Sequence, residues 1–181
     1  MIWNILWHYN IEVVGVDPVL KALKKHKNLP KKFPGTWLIV APVHWEATHN
    51  NAVMVTGGDA LNLSEEASRT LYTAFATFLA EDNMQLHYCN AGTWLLLCED
   101  QKPPQTEGLH RVLHRSMHAQ LSRLKKTPFW LRFLTESQMF FNGQKQGNST
   151  YPVNGVWVWP AARSIQICSY FKLWRKRKHE N

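Results

Sequence analysis

The sequence predicts an α+β fold in a single domain: about five strands in an antiparallel or mixed sheet, with three main helices packed on it. Three observations carry that expectation. The chain has 181 residues, 45% of them hydrophobic and 19% charged, enough to bury one sizeable core and outside the ranges of disordered or disulfide-scaffold chains. Apolar strand-like runs stand on both sides of one strongly amphipathic helix. A short turn containing glycine joins two further runs as a hairpin.

Asp17 to Lys27 reads as a short helix, with Asp17 as cap, Pro18 at the first helical position, and Val19, Leu20 and Leu23 as its apolar face. Asn28 to Gly35 breaks it. Thr36 to Val40 is a continuous apolar run suited to a buried strand, and Ala52 to Thr56 is a second, turned by Gly57-Gly58-Asp59. Ser64 is a good N-cap for the next helix. Glu65 and Glu66 suit its positive end, Ala67, Leu71, Phe75, Phe78 and Leu79 recur at helical spacing, and Asn83 is its expected end. Met84 to Tyr88 and Thr93 to Cys98 form the hairpin. Glu99 to Gly108, with Pro103-Pro104, reads as a linker-like loop, and Leu109, Val112, Leu113, Met117, Leu121 and Leu124 mark one amphipathic helix. Pro128 then begins a buried helix over Phe129 to Phe141. Asn142 to Thr150 reads as a mobile loop, and Val153 to Trp159 as the last strand. Residues 1–163 are expected to form the domain, with 1–15 unassigned, and residues 164–181 a basic C-terminal tail.

Charge is uneven along the chain. The net charge is +8, and residues 172–181 alone hold five bases and one acid, which leaves 16 bases against 12 acids elsewhere. Such a tail can hold an acidic partner or nucleic acid by counterion release, or remain a solvated end. No uncharged apolar run approaches the roughly 20 residues of a spanning helix, so no membrane span is expected. The start lacks a basic leading segment and a small-residue cleavage site, and no secretory signal is expected. Cys89, Cys98 and Cys168 are odd in number and lack metal-ligand spacing, which fits a reduced cytoplasmic interior.

Reactive constellations are sparse. His110, His114 and His118 lie four apart, as an i, i+4 metal pair would, but no Glu or Cys nearby completes a ligand set, and no metal or other cofactor is assigned. His44, Glu46 and His49 stand around the end of the first strand, where loops often carry sites. There is no nucleophile elbow and no phosphate loop, and the four aspartates lie mostly at turns or helix ends. No catalytic residue is assigned. The candidate ligand-binding residues are His44, Glu136, Gln138, Asn154 and Trp157. Glu136 and Gln138 interrupt an apolar helix and need partners, Asn154 opens the Trp-rich strand and could supply one, and Trp157 could stack a flat ligand or instead fill the core.

Pro42-Val43-His44, Leu61 to Ala67, Phe78 to Asp82, Trp94-Leu95, Glu136 to Met139 and Pro152 to Trp159 follow one another in an order and spacing that resembles the RpfE-type regulatory proteins of proteobacteria. That family is also catalogued as cofactor-independent phosphoglycerate mutase-like. The resemblance, over residues 16–159, implies a bacterial cytosolic regulatory or binding protein, and the lack of a nucleophile, paired carboxylates or a complete metal set makes the expected module non-catalytic; the alternative, from the family label, is an enzyme of phosphate metabolism. It also implies a shortened member, since the family extends further at both ends. Ala41, Trp45 and Trp159-Pro160-Ala161-Ala162 depart from the family pattern, and Pro160 lacks the N–H that a glycine there would offer an anion.

Overall fold

The computed structural model describes residues 36–48, 51–80, 82, 84–98, 101–146 and 150–160. Chain order is β1 (Thr36–Thr48), β2 (Asn51–Gly57), a 3-10 turn (Gly58–Leu61), α1 (Glu65–Ala80), β3 (Met84–Asn90), β4 (Thr93–Cys98), α2 (Leu109–Val112), α3 (His118–Leu124), α4 (Pro128–Asn142) and β5 (Gly155–Pro160). This is the expected α+β fold, and among the described residues its five strands are all antiparallel. The expected helix at 17–27, the 1–15 segment and the 164–181 tail lie outside the described residues.

The long strand β1 is the spine of the sheet. Leu38 to Val40 pair with β4 and also with β5, and Val43 pairs with both Gly57 of β2 and Gly155 of β5. A strand has only two edges, so β2 and β4 lie end to end along one edge of β1 and β5 lies along the other. Gly92, in the turn before β4, sits against the residues that leave β2. A Cβ on it would overlap the backbone of Gly58 and Asp59, so only glycine fits this junction.

Leu38 to Ala41, Trp94 to Cys98 and Val156 to Trp159 are buried residue after residue, so both faces of the sheet are covered. That explains why these strands read as continuous apolar runs rather than alternating ones. α1 contributes Leu71, Phe75 and Leu79, and α4 contributes Trp130, Phe133, Leu134 and Phe141. Phe75 is the hub of the aromatic layer, its ring 4.9–6.3 Å from those of Phe78, Trp94, Phe133, Phe140 and Phe141. Ser64 caps α1 as expected, its Oγ accepting from Ala67 N–H at 3.1 Å, while the helix ends at Ala80.

Four expectations need correction. The single helix over Leu109 to Leu124 is two short ones, α2 and α3, broken where His114 takes a left-handed φ of 57°. There the N–H groups of His114 and Met117 donate to Met54 O and Ala52 O at 2.8 and 2.9 Å, so the backbone gives up helix bonds to pair with the outer edge of β2. The first strand does not end at Val40 but runs to Thr48, which places His44 and Glu46 in it. The loop before α2 is no linker: Pro104 and Gly108 are buried, and Thr106 Oγ1 donates to Val158 O on the outer edge of β5 at 2.6 Å. Part of the loop expected to be mobile is tied down: the Gln146 side-chain amide donates to Val153 O and accepts from Val153 N–H, while residues 147–149 lie outside the described residues.

Candidate functional site

The rim where β5 leaves β1 holds the polar residues that the sequence singles out. The ladder between these strands ends at Val43 and Gly155, and one residue earlier in the chain Asn154 continues it with its side chain. Asn154 Oδ1 accepts from Trp45 N–H at 2.7 Å, and Nδ2 donates to Trp45 O at 2.8 Å. The amide thus imitates one more rung of the sheet, beside a bulge between His44 and Trp45 in the pairing with β2.

His44 stands next to that rung. Its Nδ1 donates to Pro152 O at 2.7 Å, which fixes the proton on Nδ1 because a carbonyl only accepts. Nε2 lies 3.9 Å from the exposed Glu46 carboxylate, and the ring tilts against Tyr151 at 5.4 Å. Tyr151 was not legible as a neighbour, because only the return of β5 brings it to His44. His49 lies outside the described residues.

Gln138 belongs to the same corner and Glu136 does not. The Gly155 Cα–H faces Gln138 Cγ and the indole of Trp45; a Cβ there would lie 3.1 Å from the former and 3.0 Å from Trp45 Nε1. Glu136 sits on the opposite flank of α4, paired with Arg132 at 3.4 Å, in an open groove of about 500 Å³ lined also by Phe78, Asp82, Met139 and Phe140. Residues 136 and 138 are separated by 200° around a helix, which places them on different surfaces. Trp157 is fully buried; its Nε1 donates to Glu107 O at 2.9 Å and its ring packs edge-on against Trp45 at 5.8 Å. It is a core side chain with no face open to a ligand.

The other reactive groups are equally restrained. Burial pushes the thiols of Cys89 and Cys98 up to about 12, so both remain protonated and poorly nucleophilic at neutral pH. His110, His114 and His118 are exposed but no longer share one helix, and no group of metal-ligating side chains occurs among the described residues. Glu107 is held below the usual carboxylate range by its 2.7 Å bond from Arg123, and its backbone N–H donates to Gln120 Oε1 at 3.4 Å. This network ties the loop on the edge of β5 to α3. No helix among the described residues is long and apolar enough to cross a membrane. No protein family, no curated protein and no solved structure matches this chain.

Proposed function

We propose that this chain is a non-catalytic binding or regulatory module of the bacterial cytoplasm, in keeping with its resemblance to the RpfE-type proteins. One observation carries the reading. Both the oxygen and the nitrogen of the Asn154 amide are engaged by the Trp45 backbone, in the corner where His44 is likewise tied to Pro152. A site built for turnover keeps donors and acceptors free for the reacting group, whereas these hold the sheet together. The alternative, an enzyme of phosphate metabolism, draws support from Nε2 of His44 facing Glu46, a potential base beside a carboxylate.

A direct assay separates the two. Purified protein incubated with manganese and 3-phosphoglycerate is expected to give no 2-phosphoglycerate above a blank. Turnover that disappears on His44→Gln or on a single Ser→Ala change would overturn the module reading. A thermal-shift screen of phosphorylated metabolites, divalent metals and nucleic acids then seeks the ligand, because whatever binds only the folded state raises its melting temperature.

A further inference from the structure

The stretch from Gly108 to Thr135 contains no Asp or Glu but carries six bases, Arg111, Arg115, Arg123, Lys125, Lys126 and Arg132, with three histidines. Its first part, α2 and α3 with the turn between them, forms an arm laid along the outer edge of β2. The backbone bonds of His114 and Met117 hold it there. The arm buries Val112, Met117, Gln120 and Leu124 against the body. Arg111, His114, Arg115, His118 and Arg123, with Lys125 and Lys126 just after α3, are all exposed. Arg123 is paired with Glu107, whose carboxylate Arg111 also faces at longer range, while Arg115, Lys125 and Lys126 have no carboxylate within their own stretch of chain.

We infer that this arm is a docking surface for the phosphate backbone of double-stranded nucleic acid. Three features select that partner. Arginines interspersed with lysines and histidines match phosphate oxygens, and the neighbouring Ser116 and Asn51 side chains, bonded to each other at 2.7 Å, add the small polar groups that serve in backbone contacts. No Phe, Tyr or Trp lies between Gly108 and Thr127, so the arm has no aromatic platform on which unpaired bases could stack. The apolar side of the arm is spent on the core, which leaves nothing to insert into a lipid surface. The inference stands apart from the non-catalytic reading, because none of the residues around His44 and Asn154 belongs to the arm; it is also distinct from the C-terminal tail.

The test is fluorescence anisotropy with the full chain and a labelled 20-base-pair DNA duplex. Binding is expected, with log K falling against log salt at a slope of about −3 to −4 if four cations each neutralise a phosphate. The fourfold variant Arg111→Gln, Arg115→Gln, Lys125→Gln, Lys126→Gln should lose at least tenfold in affinity and most of that slope while keeping its melting temperature. The charge-preserving double variant Arg111→Lys, Arg115→Lys should retain most of the binding and guards against a folding artefact. Deletion of residues 172–181 should leave a duplex affinity that still depends on the four arm cations. Equal binding by the fourfold variant would overturn the inference, as would stronger binding to polyglutamate or to phosphatidylserine vesicles than to the duplex.

Discussion

At the scale of single residues, Asn154 shows how a polar side chain can serve as backbone. Its amide supplies a donor and an acceptor at the spacing of a strand partner, and both meet Trp45 across 109 residues of chain. Asn154→Ala removes both bonds and strands the N–H and C=O of a residue that is 7% exposed. The expected loss is about 2 kcal/mol, from two net hydrogen bonds plus incomplete resolvation of their partners. Chemical denaturation would measure it. An unchanged midpoint would mean that water replaces the amide without cost and that the rim is not a structural joint. Glu136 and Gln138 were legible as residues in need of partners and Trp157 as a stacking or core side chain, but the hydrogen-bond partner of Trp157, the Glu107 carbonyl, lies 50 residues away and has no side-chain signature.

At the scale of elements, the sheet shields each outer edge with a different device. The edge of β2 is paired by the arm, and that of β5 is met by Thr106. On β3 the shield among the described residues is one hydroxyl: Tyr72 donates to Leu86 O at 2.9 Å and faces the Tyr88 backbone N–H, two groups that point to the same side of a strand. Tyr72→Phe keeps the ring against Tyr88 and Trp94 but uncovers that edge. The variant should lose about 1 kcal/mol and, more tellingly, self-associate as concentration rises, which sedimentation velocity would detect. A monomer at all concentrations would show that the hydroxyl is a local bond only. Local signals found α1, α4 and the hairpin, because their periodicity and caps lie within a few residues. The break at His114 escaped them: the apolar spacing continues through it, and only the open carbonyls of β2 make it worthwhile.

At the scale of the molecule, the shifted groups predict a stability plateau bounded on both sides. The thiols of Cys89 and Cys98 rise from an ordinary 9.0 to about 12 by burial, and burial also raises Tyr72 above its usual 10.0. Groups raised in the fold contribute stability that is complete below their unfolded values and lost as pH climbs through the folded ones. Melting temperature should therefore fall above about pH 9 and more steeply above about pH 10. Glu107 is the reverse case. Its value lies below the ordinary 4.5, so its contribution is present above that and is lost as pH drops through the folded value. A thermal scan from pH 3 to pH 11 would check both limbs, and Tyr72→Phe should soften the alkaline one. A melting temperature that keeps rising past pH 10 would contradict the burial of these groups.

The sequence by itself determined the fold class, the existence of nearly every described element and the residues that face the core, since hydrophobic spacing, caps and turn residues act over a few positions and encode burial directly. Tertiary structure decided which strand lies beside which, where Asn154 and Tyr72 spend their hydrogen bonds, that Glu136 and Gln138 part company, and that the bases of the arm are exposed. Those outcomes depend on pairings between residues tens to more than a hundred positions apart. A contact of that kind exists only after the chain has closed, and it leaves no periodic trace along the sequence.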